Sequence, residues 1–163
     1  MNKTIIGIDL HGTLDIDECG FLRFLMYSYK LNNPELEIWI ISGGKTNKDI
    51  EIELDMISIK KELHYDKALS VVEYLKSKGV EFKYDEKGNP WCDNTVWWKS
   101  KAQIVKEFNI ICLIDDHIKY KEYFKECDCD ENQFILYPDE FMKLLNLNGK
   151  EKPDENKCNK IAS

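Results

Sequence analysis

The sequence predicts an α/β domain, a Rossmann-like three-layer sandwich with a central parallel sheet, no large cap domain and a small hairpin insert. Three observations lead there. Short apolar runs rich in β-branched residues alternate with longer stretches of helical periodicity. These runs are apolar almost throughout, as strands covered on both faces are. Three of them end in polar residues, at Asp9, at Ser42 and at Asp115-Asp116.

Residues 3–10 read as the first strand, built on Ile5, Ile6 and Ile8, with Gly12 as a breaker. Residues 20–31 place Phe21, Phe24, Leu25, Tyr27, Ser28 and Leu31 at helical spacing, and Pro34 ends that region. Residues 37–41 form a second buried strand closed by Ser42-Gly43-Gly44. A charged helical stretch follows to about Leu54, within a segment (45–62) read as a solvated face. Residues 64–78 read as a further helix, with His64 at its start, Ala68, Val71, Val72 and Leu75 on one stripe, and Gly79 as its stop. Residues 80–84 and 90–92 flank a turn signal, Asp-Glu-Lys-Gly-Asn, and predict the hairpin. Asp93 or Asn94 caps a helix over 95–108. A strand at 110–114, a helix to about Cys127, a strand at 133–137 and a helix at 139–145 complete the domain, residues 1–145. No internal repeat is visible. The polar, charged segment 146–163 is expected to be a flexible tail.

Composition narrows the function. The chain has 163 residues, 43% of them hydrophobic, which suits a single core. No apolar run approaches the ~20 residues of a bilayer-spanning helix. The apolar run before Asp9 is too short for a secretory signal, so a cytoplasmic protein is expected, with no membrane partner. Six cysteines match no zinc pattern and read as structural or incidental thiols, with Cys112 acting as a small hydrophobe inside its strand. A net charge of −7 argues against a general nucleic-acid binding surface, but allows a phosphorylated end to meet a locally positive site.

In open parallel sheets, ligands bind outside the carboxyl ends of the strands. Asp9, Ser42, Asp115 and Asp116 are therefore expected at one edge. Carboxylates gathered there resist ionising unless a cation sits among them, and hard oxygen ligands suit Mg²⁺. Such an ion offsets the charge of a phosphate, whose oxygens Ser42 and the amides around Gly43 and Gly44 are suited to hold. The helix over 95–108 offers a second cation. Its apolar stripe runs through Trp97, Ile104 and Phe108 and includes Lys101, whereas Lys99 shares the opposite side with Gln103 and Lys106. Lys101 is favoured over Lys99, because a charge on the inward face needs a carboxylate or phosphate partner. Trp91, Trp97 and Trp98 read as packing residues, with base stacking as the other reading. His117 reads as a substrate contact or as the start of a helix.

With Asp9-Leu10-His11-Gly12-Thr13 first, then Ser42, Lys101 and Asp115-Asp116, the chain resembles the haloacid dehalogenase-like (HAD) superfamily, of the capless phosphatase type. The resemblance spans roughly residues 3–137. It implies Mg²⁺-dependent phosphate-monoester hydrolysis through an aspartyl-phosphate on Asp9. It assigns the metal to Asp9, Asp115, Asp116 and the backbone carbonyl of His11, the phosphate to Ser42, Gly43 and Lys101, and the loop after the nucleophile to Thr13. His11 stands where the family's phosphatases usually carry a second Asp as acid and base. Imidazole can serve in both roles near neutrality. Other members with non-acidic residues there perform different reactions or none, so a catalytically degenerate module that binds a phosphorylated ligand or partner is the alternative. Too few residues separate the motifs for a large cap, which favours an open site. Its expected ligand is a phosphorylated small molecule or a phosphorylated macromolecular end. A homo-oligomer that closes the site in trans is the other arrangement. Residues 97–116 are also loosely similar to the 3′-phosphatase domain of phage polynucleotide kinases.

Overall fold

A computed structural model describes residues 3–145 of the protein. The strands in chain order are β1 (Thr4–Ile8), β2 (Leu36–Ser42), β3 (Lys67–Ser70), β4 (Lys83–Tyr84), β5 (Pro90–Trp91), β6 (Ile110–Asp115) and β7 (Phe134–Leu136). The helices are α1 (Phe21–Asn32), α2 (Asn47–Met56), α3 (Val71–Ser77), α4 (Asn94–Glu107), α5 (Lys119–Glu122) and α6 (Asp139–Leu144). Five strands make one parallel sheet in the order β3-β2-β1-β6-β7, and β4 and β5 pair as a separate antiparallel hairpin. The expected Rossmann-like architecture is present.

The period of two along each strand builds two cores, one on each sheet face. On β2, Ile38 and Ile40 point to a core closed by Leu22 and Met26 of α1, Ile50 and Leu54 of α2, and Phe141 of α6. Trp39 and Ile41 point the other way, to Val71 and Leu75 of α3 and Ala102, Ile104 and Val105 of α4. A near-continuous apolar run is thus what a strand with two buried faces requires.

The order of the strands fixes where a ligand can enter. The chain winds outward from β1 through β2 to β3, then crosses to β6 on the other side of β1. Helices covering β1 and β6 from opposite faces leave a crevice at this reversal, outside the strands' carboxyl ends. Asp9 follows β1 directly, and Asp115 is the last residue of β6.

Two expected elements differ. Residues 64–78 are not one helix: Lys67–Ser70 is the edge strand β3, and the helix begins only at Val71. The reason lies in Asp66. Its N–H donates to the Ile38 carbonyl and its carboxylate accepts the Ile38 N–H, both at 2.8 Å, while Lys30 pairs with the same carboxylate. Pairing with β2 thereby overrides a helical periodicity that Val71, Val72 and Leu75 alone sustain. His64 does not start a helix either; it is buried, and its Nδ1 accepts the Lys60 N–H at 2.9 Å. The expected helix to Cys127 is broken into α5 and a 3₁₀ turn at Lys125–Cys127. The segment expected as a tail, 146–163, lies outside the described residues, as does Cys158; Cys19, Cys92, Cys112, Cys127 and Cys129 are free thiols.

Asp66→Ala strips the Ile38 N–H of its side-chain acceptor, and its expected cost is about 1–3 kcal/mol. A shift in the urea midpoint at constant slope measures it; an unchanged midpoint would show that Asp66 does not anchor β3.

Candidate functional site

The site is assembled from the ends of β1 and β6 and from one residue of α4. The Asp9 N–H donates to the Ile114 carbonyl at 2.8 Å, which sets Asp9 beside the end of β6. Asp9, Asp115 and Asp116 converge until one carboxylate oxygen from each lies within 4.8 Å of the others. Asp9 and Asp115 are buried and Asp116 is exposed. Lys101 reaches the same point from α4. Its Nζ donates to Asp9 Oδ1 at 2.7 Å and to Asp115 Oδ2 at 2.5 Å, and the residue is 2% exposed. Lys99 instead pairs with Glu126 at 2.8 Å on the outer side of α4, so the inward cation is Lys101.

The turn after Asp9 is shaped to admit Asp116. Gly12 has φ of +82°, and a Cβ there would lie 2.2 Å from Asp116 Oδ2. Only glycine accepts both the left-handed backbone and that approach. The Asp15 N–H closes a wide turn onto the Leu10 carbonyl at 3.1 Å, and Leu10 and Leu14 anchor it in the core. Thr13 is fully buried within the turn, and its hydroxyl finds no hydrogen-bond partner among the described residues.

Burial pushes the Asp9 carboxyl up, and repulsion from Asp115 and Asp116 adds to it; attraction to Lys101 works against both, and the outcome is about 6. Burial also works to discharge Lys101, but Asp9 and Asp115 together outweigh it and hold the ammonium charged, above the usual lysine range. Three carboxylates against one ammonium leave two negative charges, and these oxygens span a distance that one small divalent cation can bridge. Oxygen donors alone, in an acidic cluster half withdrawn from water, fit a hard cation.

Ser42 ends β2 at the same edge, fully buried. Its Oγ lies 3.0 Å from His11 Nδ1, and the other ring nitrogen, Nε2, lies 2.7 Å from Glu53 Oε2 on α2. Both nitrogens of the half-exposed imidazole are thus engaged. The loop after Ser42 is tied down from β3: Ser70 Oγ donates to the Gly44 carbonyl at 2.5 Å, and the Ser70 N–H donates to Asn47 Oδ1 at 2.6 Å. Trp97 packs against Gly43, two of its ring carbons 3.2–3.4 Å from where a Cβ would stand. A cleft of about 530 Å³ opens beside this loop, lined by Gly43, Lys45, Glu53, Asn89, Pro90 and Trp97 among others. An apolar cleft of about 290 Å³ between α1, α6 and the sheet contains none of the site's carboxylates.

The structure brings Asp9, Lys101, Asp115 and Asp116 into one cluster and sets Ser42 against His11 at the same sheet edge, while Thr13 is buried within the turn and Gly43 lies against Trp97. Trp98 packs between His117 and Tyr120, and Trp91 lies half-exposed on the hairpin with Lys83 over its ring. His117 turns the chain after β6, donating its N–H to Asp115 Oδ1 at 2.8 Å. Glu53 and Ser70 were not legible in the sequence. Glu53 sits in the charged segment read as a solvated face, and its contact with His11 depends on how α2 lies against the β1 turn.

Comparison with protein-family models, curated proteins and solved structures finds no match to this chain. No helix among the described residues is long and apolar enough to cross a membrane.

Lys101→Met keeps the packing of the stem but strands two buried carboxylates; its expected cost is about 3–5 kcal/mol at neutral pH, read from urea unfolding. With EDTA present, the raised Asp9 value makes the folded state bind more protons than the unfolded one. The Asp9 contribution is then fully present below pH ~4 and is lost as pH rises through about 6. Stability curves of wild type and Asp9→Asn across pH 4–7 should diverge in that direction; parallel curves would show that Asp9 is not strained.

Proposed function

We propose that the protein is a Mg²⁺-dependent phosphate-monoester hydrolase of the HAD-like type, with Asp9 as nucleophile. The observation that carries this reading is the buried Asp9–Lys101–Asp115 cluster at the sheet's reversal point, with two negative charges left over. Asp9, Asp115, Asp116 and the His11 backbone carbonyl would hold the ion. When bound, Mg²⁺ would offset the charge of the phosphate and polarise its oxygens.

In this reading Asp9 attacks phosphorus in line as the bond to the leaving oxygen breaks, and His11 gives that oxygen a proton. Water then attacks the aspartyl-phosphate, its proton returns to His11, and the Asp9–phosphorus link breaks, leaving inorganic phosphate. Lys101 stays charged beside the reacting atoms and, with the Ser42 hydroxyl, stabilises charge on the phosphoryl oxygens as it builds up. Thr13, fully buried in the turn that follows Asp9, is assigned to packing that turn; its hydroxyl makes no hydrogen bond among the described residues. The open cleft beside Gly43 is the exit for the leaving group, and it fits a nucleotide or a nucleic-acid end better than a fully enclosed small molecule.

One observation favours a second reading, a module that binds a phosphorylated partner without turnover. His11 has neither ring nitrogen free. Purified protein with Mg²⁺ is expected to hydrolyse p-nitrophenyl phosphate, with EDTA and Asp9→Asn each abolishing turnover. Absence of turnover, alongside a rise in melting temperature with Mg²⁺ or a phosphorylated ligand, would replace the hydrolase by the binding module.

A further inference from the structure

Resting on the phosphatase reading, the geometry points to Glu53 as a positioning residue that acts through His11. A carboxylate accepts hydrogen bonds and cannot donate one, so the 2.7 Å contact places a hydrogen on His11 Nε2. With Nε2 committed to Glu53, the nitrogen that gives and takes the reacting proton is Nδ1. That nitrogen now faces the Ser42 hydroxyl at 3.0 Å. The two contacts come from different elements, α2 and the end of β2, and together they fix the plane and tautomer of a ring that is half exposed and would otherwise turn freely.

The chain Glu53–His11–Ser42 also resolves how a ring with two engaged nitrogens can work. An incoming phosphate oxygen is a stronger acceptor for the buried Ser42 hydroxyl than a neutral imidazole is. Once Ser42 donates to phosphate, Nδ1 is released while Glu53 still holds Nε2. Glu53 also contributes to the lining of the cleft beside Gly43. The released Nδ1 takes up a proton from water as the ester binds; in the first half-reaction that proton passes to the leaving oxygen as the phosphorus–oxygen bond breaks, and in the second a proton of the attacking water returns to Nδ1. Nε2 keeps its hydrogen throughout, and the proton on Nδ1 goes back to water when phosphate leaves and Ser42 donates to the ring again, so none is gained or lost over the cycle.

The need for this help depends on the leaving group. p-Nitrophenolate departs with little protonation, whereas an alkoxide requires it. Glu53→Ala and the isosteric Glu53→Gln are expected to lower kcat on glycerol 2-phosphate at least about tenfold more than on p-nitrophenyl phosphate, part of the 10²–10⁴-fold that acid–base help supplies. KM should move by less than about twofold, because uniform binding is untouched. In a His11→Ala background the Glu53→Ala change should have no further effect, since its route is gone. Equal losses on both esters, or an undiminished Glu53→Ala effect without His11, would overturn the assignment while leaving the hydrolase standing. A wild type inert on both esters would remove the hydrolase reading and the role of Glu53 with it.

Discussion

Two carboxylates withdrawn from water side by side are the constraint around which the sheet edge is organised. Asp9 is nearly and Asp115 fully buried, and Asp116 approaches across the Gly12 turn. Lys101 is the group that makes this tolerable. Its ammonium bridges Asp9 and Asp115 from α4 and remains charged because two acceptors outweigh the cost of its own burial. The bridge is incomplete, since Asp9 keeps a carboxyl pushed up to about 6 in spite of it. The edge is therefore stable enough to fold and still electrostatically unsatisfied, which is the condition a cation-binding site needs.

The surrounding hydrogen bonds serve this edge by fixing backbone. Asp9 is held to β6 through the Ile114 carbonyl, the β1 turn is closed onto Leu10, and the loop after Ser42 is fastened to β3 by Ser70. β1, β2, β3 and β6 are neighbouring parallel strands, so the relative placement of Asp9, Ser42 and Asp115 follows from strand register. Side chains on such rigid supports need little rearrangement before charge develops near them. The wall formed by α2 is different in kind, because Glu53 and His11 meet through side chains that are each about half exposed.

Much of this was readable in the sequence, for a physical reason. Strand ends in a parallel sheet all face one way, so polar residues closing apolar runs locate an edge without any knowledge of side-chain contacts. Lys101 was legible because the 3.6-residue period of α4 put a lysine on a stripe of Trp97, Ile104 and Phe108. What failed was β3. Lys67–Ser70 is only four residues long and runs directly into α3, so the apolar residues of strand and helix merge into one apparent helical stripe. The deciding contact, Asp66 with Ile38, joins residues distant in sequence. Glu53 was illegible for the same reason, as nothing local to α2 distinguishes it from the glutamates that face water.

The Asp9–Lys101 contact joins residues 92 positions apart, and the cluster is complete only with Asp115. During synthesis at ~5–20 residues per second, β1 to β3 leave the ribosome several seconds before their electrostatic counterpart does. The nascent half-sheet must carry Asp9 in a protonated or solvated state until α4 and β6 dock. The acidic cluster thus exists only once the last central strand is in place, and a partly made chain lacks both the bridging ammonium of Lys101 and the carboxylates of Asp115 and Asp116.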